Sequence, residues 1–117
     1  MKYLLLIYGK EEVWDAADRA ACYAESAELA RELHAAGKLL GTNALQPVAT
    51  ATSVVSTAGT RIVTDGPFAE TREQLGGYFL IDARDLDEAI EIAKRIPGGR
   101  LGTVEIRPVY DVDGLPV

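Results

Sequence analysis

Asp65 is the residue whose type and position are best suited to chemistry. It ends a segment rich in Val and Thr and precedes Gly66-Pro67, which begin a loop. Loops at the ends of strands present reactive groups from a rigid scaffold. A partly buried carboxylate at this point can act as a general base. The alternative is turn chemistry, in which the carboxylate accepts hydrogen bonds from the amides of its own loop as an Asx turn.

His34 is the second candidate catalytic residue and the only histidine in the chain. Histidine exchanges protons near neutral pH, and a position in the last turn of a helix favours its charged form through the helix dipole. The alternative is an ordinary helix cap, in which the side chain bonds the final carbonyl groups. A single histidine does not make a metal site, and we expect no metal.

Three further side chains are candidates for substrate binding. Arg72 and Phe68 lie in the polar segment after Asp65, and Tyr78 lies in the apolar segment that follows. An arginine in a loop can clamp an anionic substrate, although a solvated loop is the ordinary alternative. Gly76-Gly77 do not open a helix, so neither a dinucleotide site nor a phosphate-binding loop is predicted. We therefore expect no cofactor.

Composition excludes several classes of partner. Eighteen acidic residues against twelve basic ones give a net charge of −6, which disfavours nucleic acids and anionic membrane surfaces. The single cysteine, Cys22, allows no internal disulfide and is expected to pack as a small hydrophobe. The apolar start is too short for most signal sequences. A cytoplasmic protein with a small-molecule ligand is the expectation.

The elements that must position these residues follow from periodicity and turn signals. A helix is predicted from about Asp15 to Ala36 with Gly37 as its cap, and a second helix from the N-cap Asp85 to the stop at Pro97. The tail 111–117 has no periodicity. Strands are predicted at 2–8, 38–45, 50–57, 60–64, 75–83 and 103–109. Residues 1–117 are expected to form one domain.

With the hairpin 50–64 treated as an insertion, the order is βαββαβ, a ferredoxin-like α+β arrangement with an antiparallel sheet. Its two helices cover one face of the sheet. The segments 2–8 and 75–83 are nevertheless apolar on both faces, and this topology makes them the central strands. The pattern therefore predicts a homodimer that buries the second sheet face.

One segment, Asp65-Gly66-Pro67-Phe68 continuing to Tyr78, resembles the signature of the DGPF group in the YciI-like (YCII-related) family of small bacterial proteins. The resemblance extends over nearly the whole chain. It also includes the segments 1–8, 47–52, 85–89 and 104–108.

This resemblance implies a ferredoxin-like fold assembled as a dimeric α/β barrel. In YciI-type members a His on the first helix and an Asp are the expected catalytic pair, but the position that matches this His is Ser26. DGPF proteins also resemble partners encoded with extracytoplasmic-function sigma factors, which implies a signalling or accessory role and a protein partner.

Two functions therefore stay open at the level of sequence. The first is a cofactor-independent acid–base enzyme of lyase or isomerase type, in which Asp65 moves a proton and Arg72 or Tyr78 orients a small organic molecule. The second is a module that binds a small molecule or docks on a protein without chemistry. The architecture alone does not decide between them, because it is used for many unrelated functions.

Overall fold

The computed structural model describes residues 1–116 and contains six strands and two α-helices. Three short 3₁₀ helices lie in the connections, at Glu11–Val13, Val48–Thr50 and Pro97–Gly99. In chain order the main elements are β1 (Lys2–Gly9), α1 (Ala16–Ala35), β2 (Leu39–Ala44), β3 (Thr52–Thr57), β4 (Thr60–Asp65), β5 (Gln74–Asp82), α2 (Leu86–Lys94) and β6 (Gly102–Pro108).

Four of the strands form one antiparallel sheet with the order β2-β5-β1-β6. Strands β1 and β5 are the central pair, with Leu5 opposite Phe79, and β2 and β6 are the edges. The prediction of an α+β fold with an antiparallel sheet is therefore confirmed. The segments that are apolar on both faces are its two central strands.

The hydrophobic core lies between one face of this sheet and the two helices. Strands β1 and β5 contribute alternate residues to it, and α1 and α2 contribute the residues that recur at helical spacing. Its buried members are Tyr3, Leu5, Leu29, Leu33, Phe79, Ile81, Ala83, Ala89, Ile92 and Ile96.

Both helices begin where capping chemistry predicts, and α1 also ends there, whereas α2 ends at Lys94, before the predicted stop at Pro97. The Asp15 carboxylate accepts a hydrogen bond from the Asp18 N–H at 2.8 Å, and Asp85 does the same for Glu88 at 2.9 Å. Gly37 follows α1 with φ +75°, a left-handed conformation that glycine adopts without strain.

Glu88 joins the start of α2 to the start of β2. Its carboxylate accepts hydrogen bonds from Lys38 Nζ at 2.7 Å and from the Arg84 N–H at 2.9 Å. The bond from Lys38 is the main cause that lowers the pKa of this carboxyl below its ordinary value, and the Arg84 amide adds to it. The charged form of Glu88 is thus the form that the fold stabilises.

The second face of the sheet is left half-exposed by the single chain. Leu4 and Leu6 of β1, and Tyr78 and Leu80 of β5, alternate with the core residues and lie on this face at intermediate exposure. The molecule is only 20 Å deep in its shortest direction, which is the thickness of one sheet and one layer of helices.

The strands β3 and β4 form a separate hairpin, residues 52–65, which we call the arm. Its turn at Ala58-Gly59 has positive φ at both residues, 47° and 82°, as a two-residue hairpin requires. Every arm residue except Ser53 is exposed, including Val54 and Val63. The predicted hairpin is confirmed, and its apolar residues on both faces are uncovered.

Residues 109–116, after β6, form neither helix nor strand. The irregular tail was predicted at 111–117, of which Val117 lies outside the described residues. No helix formed by residues 1–116 has the length and apolar character needed to cross a membrane.

Glu88→Gln is expected to lower the free energy of unfolding at pH 7, because glutamine carries no charge for Lys38 to pair with. Since the folded protein lowers this pKa, the stabilisation is present above the unfolded-state pKa of about 4.3. It is lost as the pH falls through the folded-state value. Urea unfolding at pH 7 and pH 3 should show a gap between wild type and variant that closes in acid.

Glu91→Gln is the matched control for this experiment. Glu91 lies on the same helix, but its ion pair with Lys94 is exposed, and exposed pairs contribute little to stability. An equal effect of the two variants, or a gap that stays constant down to pH 3, contradicts the assignment to Glu88.

Candidate functional site

A pocket of about 460 Å³ lies between the N-terminal half of α1 and the strands β1, β2 and β5. This volume falls in the range of small-molecule sites. Most of its surface is apolar. The large apolar side chains on its wall are Ile7, Trp14, Leu45 and Phe79.

Glycines leave the space that the pocket occupies. In β5, Gly76 is the extra residue of a bulge, because Ile7 pairs with Gly77 while Tyr8 pairs with Leu75. A Cβ on Gly77 would lie 2.9 Å from the backbone oxygen of Asn43, so only glycine permits β2 to approach β5 this closely. The bulge and the close approach together form the floor beneath α1.

Glu11 ties together three chain segments at the rim of the pocket. Its N–H donates to Gln74 Oε1 at 3.1 Å, and its Oε2 accepts from the Val48 N–H at 3.0 Å. Its backbone carbonyl accepts from Arg19 Nη2 at 2.7 Å. The connection after β1, the connection after β2 and the start of β5 are therefore held in register by one residue.

The charged groups of the pocket lining are few. Lys10 and Arg19 supply two cations, and Glu11 is the one carboxylate that lines the pocket among residues 1–116. Within that same range no cluster of three His, Cys, Asp or Glu side chains is arranged to hold a metal ion. A carboxylate such as that of Glu11 can accept a proton, and cations such as Lys10 and Arg19 can bind an anionic group.

Cys22 forms part of the pocket wall from α1. Burial raises the pKa of its thiol above the ordinary value, and a hydrogen bond with Ser26 opposes this only in part. The thiolate is the nucleophilic form of cysteine, and this shift disfavours it. It is buried, as the sequence predicts.

Comparison with known proteins adds the family. The sequence model of the YCII-related domain family matches residues 1–113. The chain belongs to the YCII-related family. An uncharacterised protein of Rhizobium meliloti (strain 1021) is 37% identical over 114 residues, which are 93% of this chain and 92% of that protein. Membership of the DGPF group within this family stays a prediction.

A solved structure shares the fold of this YCII-related chain. It is 5-chloro-2-hydroxyhydroquinone dehydrochlorinase (TftG) from Burkholderia phenoliruptrix AC1100, in complex with 2,5-dihydroxybenzoquinone. The TM-score is 0.53 with 14% identity, over 94% of each chain. At this identity the likeness concerns the fold alone.

The two residues predicted to be catalytic lie outside the pocket of this YCII-related chain. Asp65 ends the exposed arm, and no hydrogen bond to its carboxylate is present among residues 1–116. His34 is exposed in the last turn of α1, eight residues and therefore about 12 Å along the helix from Ser26. The structure does not bring Asp65 and His34 together with the pocket wall, and their catalytic roles stay predictions.

The three predicted substrate-binding residues are also outside the pocket lining. Phe68 is 88% exposed and Arg72 is exposed, both in the connection between β4 and β5. The Tyr78 hydroxyl accepts a hydrogen bond from Asn43 Nδ2 at 2.9 Å, on the sheet face turned away from the helices. Their roles stay predictions as well.

Sequence reasoning did not single out Lys10 and Glu11, although a signal for them exists. They directly follow Gly9 at the end of a buried strand, the kind of loop position that presents functional groups from a rigid scaffold. Ser26 entered only as the position that matches the YciI-type helix His, and Arg19 was not a candidate site residue. These residues meet at the pocket only because α1 packs over the glycines of β5.

Glu11→Ala tests whether this residue holds the rim of the pocket. The change removes the acceptor of the Val48 N–H, so amide exchange at Val48 should accelerate at least tenfold. The free energy of unfolding should fall by about 0.5–1.5 kcal/mol, the usual contribution of one hydrogen bond. Glu12→Ala is the control, because Glu12 is exposed beside it. Equal exchange rates at Val48 in both variants contradict the assignment.

Proposed function

We propose that this protein binds a small organic molecule in the pocket beneath α1 and acts on it as a cofactor-independent acid–base enzyme of lyase or isomerase type. One observation carries the proposal. A mostly apolar pocket of about 460 Å³ is lined by a single carboxylate among the described residues, that of Glu11. Few polar groups in a concave apolar wall are typical of small-molecule sites.

Glu11 is the proton acceptor in this proposal. The Val48 N–H holds one oxygen of its carboxylate, so the group is fixed in place before a ligand arrives. Of its two oxygens, Oε1 accepts no hydrogen bond from residues 1–116 and is available to take a proton from the bound molecule. A positioned base of this kind contributes about 10²–10⁴-fold to rate.

The fold supports proton-transfer chemistry by analogy only. The dehydrochlorinase that shares it, TftG, is named for removing hydrogen chloride from a hydroxylated ring, and such an elimination requires the loss of a proton. The relative from Rhizobium meliloti is uncharacterised and does not narrow the substrate. The analogy therefore selects which compounds to try first.

Glu11→Gln is the variant that tests the catalytic role. Glutamine keeps an oxygen that accepts from Val48 but does not take up a proton. Wild type should accelerate exchange of carbon-bound hydrogen for deuterium in at least one compound of a panel of hydroxyquinols and small oxo acids, followed by ¹H NMR in D₂O. The variant should slow that exchange by about 10²-fold or more.

Glu12→Gln is the matched control, since Glu12 is the exposed neighbour, and it should retain the wild-type rate. If wild type and Glu11→Gln accelerate the exchange equally, Glu11 is not the base. If wild type accelerates the exchange of no compound in the panel, the non-catalytic alternative replaces the enzyme proposal.

That alternative is a small-molecule-binding or regulatory module, for example an accessory protein in sigma-factor signalling. One observation favours it. The pocket lining contains no histidine among residues 1–116, and the two side chains predicted to be catalytic, Asp65 and His34, lie on exposed surfaces. A ligand recovered unchanged from the pocket after long incubation supports this module. A cytoplasmic location stays a prediction under both proposals.

For the assembly we propose a ferredoxin-like βαββαβ chain that forms a homodimer through the outer sheet faces, closing a dimeric α/β barrel. The strand order β2-β5-β1-β6 fits this topology. Leu4, Leu6 and Leu80 lie at intermediate exposure on the face that no helix of residues 1–116 covers. Several large apolar side chains grouped on an uncovered face, here bordered by Glu105 and Arg107 of β6, are typical of an interface.

Leu6→Lys tests the dimer. Leu6 lies at the centre of the outer face between Tyr78 and Glu105, so a charge there is tolerated by a single chain but not in an apolar interface. Light scattering should give wild type twice the chain mass of 12.6 kDa and the variant a single chain mass. Leu101→Lys is the control, because Leu101 is exposed in a loop. A wild-type monomer at micromolar concentration contradicts the dimer.

A further inference from the structure

The charge of the pocket lining is opposite to that of the protein. The chain carries eighteen acidic and twelve basic residues, a net charge of −6. The pocket is lined by two cations, Lys10 and Arg19, and by one carboxylate, Glu11. The positive potential of these two side chains attracts an anion to the pocket, although the protein as a whole is negatively charged.

Arg19 is held in the pocket without being neutralised. Its side chain is half-buried, and one Nη2 hydrogen is donated to the backbone carbonyl of Glu11 at 2.7 Å. This carbonyl is uncharged, so the bond fixes the guanidinium but leaves its positive charge uncompensated. Arginine has five N–H donors, and the others stay available to a ligand.

Five of the other ten cations have carboxylate partners within residues 1–116, and the five that lack one lie outside the pocket lining. Arg95 pairs with Glu32, Arg100 with Glu25, and Lys38 with Glu88. Within residues 1–116 no carboxylate lies at ion-pair distance from Arg19 or Lys10. Asp18 and Asp15 are the carboxylates nearest to Arg19 in sequence, and Asp15 accepts from the Asp18 N–H. The Glu11 carboxylate, which is next to Lys10, accepts from the Val48 N–H.

We infer that the pocket takes an organic carboxylate, with its carboxylate on Arg19 and Lys10 and its apolar body against the wall. The planar fork of a guanidinium matches the two oxygens of a carboxylate. Trp14, Leu45 and Phe79 give the apolar part its surface. The inference rests on the proposed function only for the location of the ligand, and it adds the ligand's chemical class.

Benzoate and benzamide are the probes that test this. They have the same ring and nearly the same shape, but only benzoate is charged at neutral pH. Titration of ¹⁵N-labelled protein, followed at the amides of Cys22, Leu45 and Gly77, should show benzoate binding at least tenfold more tightly than benzamide. Arg19→Gln should remove this preference, so that the two probes bind with similar affinity.

Two further variants separate charge from structure. Arg19→Lys keeps the charge but loses the planar fork, and it should restore part of the preference. Arg31→Gln changes an exposed arginine on the same helix, and it should keep the full preference. The dispersion of the amide spectrum checks that each variant is folded.

Each remaining outcome overturns a stated part of the account. If wild type binds both probes at the pocket with equal affinity, the carboxylate inference fails and the pocket proposal stands. A preference that survives Arg19→Gln also overturns the inference, because the selectivity then lies elsewhere. If neither probe shifts the pocket amides at millimolar concentration, both the inference and the proposed binding pocket fail.

Discussion

Two α-helices cover one face of a four-stranded sheet, and the pairing of β1 with β5 decides where the other elements lie. Leu5 and Ile81 of this pair are fully buried against the helices, while Leu6 and Leu80 alternate with them on the opposite face. Residues in a strand alternate between faces, so the central pair cannot bury one set without presenting the other. The same alternation along β1 and β5 therefore produces both the buried core and the uncovered apolar face.

The pocket arises from the way α1 rests on this sheet. Its C-terminal half packs Leu29 and Leu33 into the core, whereas its N-terminal half lies over the glycines of β5. At Gly76 and Gly77 the sheet has no side chains to fill the space, and Gly76 is the extra residue of a bulge. The polar contacts of Glu11 then close the rim. The cavity is retained because hydrogen bonds at the rim join the segments around it, whereas side chains do not fill the space between them.

The amino-acid sequence specifies the fold more directly than the site. Helix ends were predictable because Asp15, Gly37 and Asp85 act on groups within three or four positions. The partners of Glu11 are 37 and 63 residues away, and no local pattern indicates them. The turn residues after Asp65 made it a candidate, yet Asp65 ends the exposed arm and lies outside the pocket lining. Helix ends, which depend on neighbouring residues, were therefore predictable from the sequence. The contacts that bring distant residues together at the pocket were not.

The most direct test of the pocket as the functional site is a crystallographic screen of small organic fragments against the full chain. We expect bound fragments to cluster beneath α1, against Trp14 and Phe79, with acidic ones in contact with Arg19. Fragments that cluster instead at Asp65-Gly66-Pro67-Phe68 and leave the pocket empty would contradict this account and return the site to the end of β4 and the connection that follows it.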